Sequence, residues 1–326
     1  MKRVLAGPII AIAALLATSA AAPAQHASKE WPTRTVRIII PLGAGGGGDI
    51  FARLLAEELQ KKFGQSFIVE NRPGGALNIG GRACAESAPD GYTLCVLSSE
   101  PVVYNQFLFK NLPFHPEKDF EPVTNLFINS VALVANSKLN IKTIPEMIAL
   151  AKAQPGTLSY GTFSFVLVQY MEKIKKREQI DIVRVPFRSG NEVVNAIMSG
   201  TAPIAFLGLA NMLPQIRSGH ITGIALNAYA RSPLFPDLPT LKEASGEDVP
   251  PTWFGLFVPA GTPKPIIEAV HAEVVRITSD PAWRQRNFVD RAIEYAVGPT
   301  DAFARFVVES RKRAGEIARE AGVQPQ

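Results

Sequence analysis

A nearly continuous apolar run, followed by glycines and then by an amphipathic helix, constrains this chain more than any other feature. Val36 to Pro41 (VRIIIP) lacks the alternation of a half-solvated strand and reads as a strand covered on both faces. Gly43 to Gly48 follows, interrupted only by Ala44. Ile50, Phe51, Leu54, Leu55, Leu59 and Phe63 then recur at helical spacing, and Gly64 stands where a helix C-cap is needed. Phe67-Ile68-Val69 reads as a second strand, Ile79 to Ser87 as part of a second helix, and Tyr92 to Leu97 as a third strand. This βαβαβ order predicts a parallel sheet with right-handed crossovers.

The remaining chain repeats the alternation. Strands are expected at Ser130 to Ala135, Leu158 to Tyr160, Ile182 to Val185, Ile204 to Leu207, Ile221 to Leu226 and Phe254 to Pro259. A helix capped by Thr143 runs to Pro155-Gly156, and another covers Asn191 to Ser199. Thr262-Pro263 caps a further helix, and two more begin at Pro281 and Thr300. The pattern predicts an α/β protein of two lobes, with the C-terminal helices returning to the first. A length of 326 residues suits about two domains. With 47% apolar and 19% charged residues the chain is neither disordered nor short of core. Four His and two Cys exclude a zinc-cluster protein. No nucleophile elbow, zinc-protease motif or carboxylate pair supports an enzyme, and no cofactor or metal is expected.

Met1-Lys2-Arg3 is a basic n-region, Val4 to Ala22 is small and apolar, and Ala22-Pro23-Ala24 fits a cleavage site. Residues 1–24 are therefore expected to be an export signal, leaving Gln25 first in a periplasmic protein. The Gly7-Pro8 break argues against a membrane anchor. Removing Lys2 and Arg3 lowers the formal charge from +5 to +3, and no basic stripe suggests nucleic acid. In an oxidising compartment Cys84 and Cys95 fit either a disulfide between helix end and strand or two buried thiols.

The glycine run satisfies G-x-G-x-x-G, and Glu70 lies 22 residues beyond Gly48, the spacing of a dinucleotide site. A run of glycines matches many patterns. Three alternatives stay open: an anion or carboxylate site at the helix N-terminus, a dinucleotide site, and a turn without ligand. Asp49 at the helix start reads as a cap.

Several stretches together resemble the substrate-binding proteins of tripartite tricarboxylate transporters, the Bug family. They are Ile40-Pro41-Leu42 with Gly45-Gly46 and Asp49-Ile50; Glu70-Asn71-Arg72-Pro73-Gly74-Gly75 with Asn78-Ile79-Gly80; and Ala88-Pro89-Asp90-Gly91-Tyr92-Thr93-Leu94. Leu112-Pro113-Phe114, Lys118-Asp119-Phe120 with Pro122-Val123, Arg231-Ser232, Leu238-Pro239-Thr240, Trp253-Phe254-Gly255-Leu256 and Pro259-Ala260-Gly261-Thr262-Pro263 follow in order. The resemblance implies a periplasmic binding protein type II-like fold with a two-strand hinge, lobe 1 over 25–124 and 250–326 and lobe 2 over 125–249. It implies a monomeric receptor that closes on a small carboxylate and delivers it to membrane permease subunits, without catalysis. A ligand-sensing protein without transport and an NAD-dependent oxidoreductase using Gly43 to Gly48 are the alternatives.

By position, the resemblance assigns the ligand to Leu42, Gly43, Ala44, Gly45, Gly46, Gly47 and Gly48, to Ala76, Leu77 and Asn78, and to Ser98 and Ser99. The second lobe would add Tyr160, Gly161, Thr162 and Phe163 and the turn Arg188, Ser189, Gly190. This chain departs from the family at Gly47 and Gly48, where hydroxyls are usual, at Leu77, where glycine is usual, and at Ala196 and Leu207, commonly acidic. Phe163 to Val168 replaces a Gly/Ser/Thr-rich loop. The expectation is a carboxylate with an apolar or aromatic body rather than a polyacid or an amino acid, unless Phe163, Phe165 and Leu167 simply pack in the core. Lys173 to Arg177 reads as a solvated helix face, and His115, His220 and His271 as ordinary surface or packing residues.

Overall fold

Two β-sheets flanked by helices organise the computed structural model, which describes residues 31–187 and 189–325. The expected signal, residues 1–24, and Arg188 lie outside the described residues. The first sheet begins with β1 (Val36–Ile40), α1 (Gly47–Phe63), β2 (Phe67–Asn71), α2 (Asn78–Ala85) and β3 (Thr93–Ser98). β1 pairs in parallel with β2 and with β3, as the βαβαβ order requires. Four of the five β1 residues are buried, only Arg37 being exposed. α1 buries Phe51, Ala52, Leu55, Ala56 and Leu59, and ends at Gly64, whose φ of 66° lets its N–H reach the Gln60 carbonyl at 2.9 Å.

Cys84 and Cys95 form a disulfide with Cα atoms 6.1 Å apart, which settles the two alternatives. It ties the end of α2 to the middle of β3.

After β3 the chain makes a single π-helical turn, Glu100–Tyr104. It then enters β4 (Phe120–Asn129), crosses at Ser130, and starts the second sheet with β5 (Val131–Asn136). The second sheet continues through α3 (Ile144–Ala153), β6 (Leu158–Gly161), α4 (Phe165–Glu178), β7 (Ile182–Val185), α5 (Gly190–Ser199), β8 (Ile204–Gly208), α6 (Leu213–Arg217) and β9 (Ile221–Asn227). A connection holding α7 (Leu241–Ser245) leads back to β10 (Thr252–Pro259) in the first sheet. α8 (Lys264–Ser279), α9 (Pro281–Asn287), β11 (Glu294–Tyr295) and α10 (Thr300–Glu320) complete the first lobe. The strand orders are β11-β4-β10-β3-β1-β2 and β7-β6-β8-β5-β9.

β4 was not expected from the sequence. Pro122 and Asn125 interrupt its apolar pattern, and two register shifts against β10 break its alternation. Thr262 does not cap α8. Its hydroxyl donates to the Pro259 carbonyl at 2.7 Å, and the helix begins after Pro263. Trp253 is buried and meets Phe303 and Phe306 edge-on, at 5.6 and 5.5 Å between centroids.

Candidate ligand-binding cleft

The loops at the C-terminal ends of β1, β3, β6 and β8 face one another across the two lobes, where open α/β sheets bind ligands. They enclose a cavity of about 120 Å³. From the glycine run its wall takes in Leu42, Gly43, Ala44, Gly46, Gly47 and Gly48. Leu77 and Ser98 add to it from the first lobe, and Thr162, Phe163, Ser189 and Gly190 from the second.

The other assigned residues that are described are not on this wall. Gly45, at φ +85°, donates its N–H to Asp49 Oδ2 at 2.9 Å. Ala76 is exposed, and its carbonyl accepts the Asn105 amide. Asn78 is buried with its Oδ1 accepting from Asn105 at 2.6 Å. Ser99 is fully buried beside Glu100. Tyr160 projects into the core of the second lobe, because side chains alternate along β6. Gly161 packs under the Phe187 ring, where a Cβ would come within 2.6 Å. Phe165 turns from the cavity to pack on Tyr104, with centroids 5.8 Å apart, whereas Leu167 lines it.

The glycine run lets the lobes approach. A Cβ at Gly47 would lie 3.2 Å from the Ala210 side chain, at Gly46 3.5 Å from Asn211 Oδ1, and at Gly43 3.7 Å from Ser189 Cβ. The backbone of the first lobe thus meets side chains of the second with nothing between. Asn211 spans the gap: its Oδ1 accepts the Gly47 N–H at 2.9 Å, and its Nδ2 donates to the Gly208 carbonyl at 3.2 Å. The N-terminus of α1 therefore receives its side-chain cap from the opposite lobe.

Asp49 is not the cap of α1. It sits inside the first turn, 2% exposed, and reaches back to the Gly45 N–H. Arg53 grips both its oxygens at 3.0 Å, and the Asn71 amide donates to Oδ1 at 2.8 Å. Burial alone would raise its pKa, but the Arg53, Gly45 and Asn71 hydrogen bonds outweigh this and hold the carboxyl below its ordinary value. The same Asn71 amide reaches the Leu42 carbonyl at 2.9 Å, which fixes the loop. Glu70 pairs with Arg37 and Arg72 away from the cavity wall, so the carboxylate expected of a dinucleotide site is engaged elsewhere.

Several wall residues were missed in the sequence: Glu100, Phe127, Asn129, Ser164, Asn191, Phe206, Asn211, Thr252 and Phe254. Glu100 carried a signal, a lone charge between a buried strand and the apolar Val102-Val103. The asparagines carried none, since they are ordinary loop residues until the lobes meet. Glu100 is the one titratable side chain on the wall among the described residues. It is 7% exposed, and burial pushes its pKa up despite the nearby Ser98, Ser99 and Ser164 hydroxyls.

Two α/β lobes with a cleft at their strand ends define a solute-binding protein of the periplasmic type. The chain matches the tripartite tricarboxylate transporter family receptor over residues 51–323 and belongs to that family. It is 32% identical to a UPF0065 protein of Bordetella bronchiseptica, over 98% of this chain and 95% of that one. Protein BugT of Bordetella pertussis is 28% identical, over 96% and 97%. Among solved structures, R. palustris Rpa4515 with adipate matches at 26% identity with a TM-score of 0.85, covering 91% of this chain and all of that one. MatC from Rhodopseudomonas palustris with bound malate matches at 28% identity with a TM-score of 0.79, covering 88% and 100%. The family consists of substrate-binding receptors, so the oxidoreductase alternative falls.

Proposed function

We propose that this protein is a periplasmic receptor that captures a small carboxylate in the cleft and presents it to the permease subunits of a tripartite tricarboxylate transporter. The observation that carries the reading is the α1 N-terminus, opened by glycines and capped across the cleft by the neutral Asn211 oxygen. A ligand carboxylate takes over this cap, because a charged acceptor binds the same N–H more strongly than an amide oxygen. The structures with adipate and malate support the ligand class. Leu77, Phe163 and Leu167 on the wall support an apolar body. The lobes are taken as 31–129 with 252–325, and 130–251, because β4 runs in the first sheet to Asn129 and β10 re-enters it at Thr252. Ligand contacts from both lobes exist together only when the lobes meet, so the ligand draws the protein closed by differential affinity. The receptor acts as a monomer, and the permease reads the closed surface.

Calorimetry with a series of small carboxylates tests this. Short-chain carboxylates with an apolar body bind, and citrate binds more weakly. Gly47→Val wedges the lobes apart at Ala210 and lowers affinity about tenfold to a hundredfold. Tighter binding of citrate would sink the apolar-bodied ligand, and no binding of any carboxylate would sink the class.

A further inference from the structure

The expectation of a ligand without an amino group left out Glu100, which lines the cavity together with three hydroxyl side chains. Ser98 Oγ at the end of β3 and Ser164 Oγ before α4 face the Glu100 carboxyl, and Thr252 Oγ1 at the start of β10 is buried with no hydrogen-bond partner. Their residues are 2%, 5% and 5% exposed. The pairing of β3 with β10 sets Phe254 opposite Ser98, and so brings Thr252 to the level of Glu100. Buried polar atoms in folded proteins are almost always paired, and an unpaired Thr252 hydroxyl on the same wall as a buried carboxyl with no cation among the described residues points to a missing partner. Phe127 and Phe206 also line the cavity. No Lys, Arg or His lines the cavity among the described residues.

A carboxyl group and hydroxyls, with no cation on the wall among the described residues, form the environment of an ammonium group. The carboxylate accepts its charge-assisted hydrogen bonds, and the hydroxyl oxygens accept others. A second anionic end would instead lie against Glu100 in a region of low dielectric, where like charges repel strongly.

We propose that the cleft selects a small amino-carboxylate, its carboxylate at the α1 N-terminus and its ammonium received by Glu100, Ser98, Ser164 and Thr252. The proposal rests on the carboxylate-receptor reading above and specifies the ligand's other end. It makes Glu100 the specificity-determining residue: the ligand's charge supplies the counter-ion that no described wall residue does.

Competition and calorimetry at neutral pH with matched four- and six-carbon sets test it: 4-aminobutanoate, succinate and butanoate, then 6-aminohexanoate, adipate and hexanoate. The amino-carboxylate of at least one set binds about tenfold or more tighter than its dicarboxylate and monocarboxylate partners. Glu100→Gln, close in shape, collapses this preference to about threefold or less, and Ser164→Ala narrows it. Thermal melts verify that each variant is folded. If the dicarboxylate or monocarboxylate binds as tightly as the amino-carboxylate, the carboxylate reading stands and the role of Glu100 falls. If Glu100→Gln leaves the preference intact, Glu100 is likewise not the determinant. If none of the six ligands binds, the carboxylate reading fails first.

Discussion

Asp49 and Glu100 are both carboxyl groups buried in the first lobe, and their surroundings treat them in opposite ways. Asp49 has a guanidinium, an amide and a backbone N–H on its oxygens, all supplied by residues within one loop, one helix turn and the neighbouring strand end. Glu100 has neutral hydroxyls facing it, that of Ser99 at 3.4 Å, and no basic residue beside it on the cavity wall among the described residues. The first carboxylate is finished by the fold and fixes a loop. The second is left unfinished and faces a cavity. A buried charge with its partners in place is structural, and one without them is a place where a ligand can supply what is missing.

The largest effect should come from the staple beneath Glu100. The disulfide holds the strand that leads into Ser98-Ser99-Glu100, and it closes a short loop of sequence separation 11. Replacing both cysteines with serine should lower unfolding free energy by about 3 kcal/mol in denaturant melts. If the cost is confined to stability and the amino-carboxylate preference survives, the Glu100 wall is held by its own packing.

The contrast itself is broken or sharpened by Asp49→Asn and Glu100→Gln. Asp49→Asn leaves Arg53 without its ion-pair partner and should cost about 2 kcal/mol at neutral pH. Stability from Asp49 is present above 3.8, the ordinary aspartate value, and is lost as pH falls through its lowered value. Glu100 has the opposite sign. Its neutral form is favoured in the folded chain, so stability is whole below 4.5 and is lost as pH rises through the raised value. The Ser98, Ser99 and Ser164 hydroxyls and the Tyr104 phenol face this carboxyl, and none supplies a positive charge. Melts of both variants across the acid-to-neutral range should give curves that diverge from the parent in opposite directions. Parallel curves would remove the contrast.

Smaller effects follow at the cap and at Glu100 itself. Asn211→Ala removes the hydrogen bond from one lobe to the other and should cost about 1 kcal/mol, like the loss of a helix cap. Small-angle scattering of the ligand-free variant should show a larger radius of gyration. An unchanged radius would mean that packing at Ala210, not the cap, holds the lobes together. Glu100→Gln should raise stability at neutral pH by about 1 kcal/mol or less, because it removes the ionisable group that burial disfavours.

What could be read from the sequence was what the chain decides locally. The buried strand Val36 to Pro41, the helical spacing from Ile50 to Phe63 and the Gly64 cap each involve neighbours in sequence, so their periods survive as text. Glu70 was legible as a spacing but not as a partner, since its ion pair with Arg37 depends on β1 lying beside β2. β4 was hidden because its partner β10 is far away in sequence and the bulges between them erase the alternation. The family's ordered motifs located the glycine run and the Ser189-Gly190 turn, both of which face the cavity.

By itself the sequence determined the alternation of elements, the parallel start of the first sheet and the need for glycine where the lobes approach. Only the tertiary structure decided that Asn211, 164 residues from Gly47, caps its helix, that Asp49 meets a guanidinium and that Glu100 meets no cation among the described wall residues. The physical reason is separation. Local geometry is written in adjacent residues, but desolvation and hydrogen-bond satisfaction depend on which distant segments arrive, and a sequence shows a polar group without showing whether its partner comes.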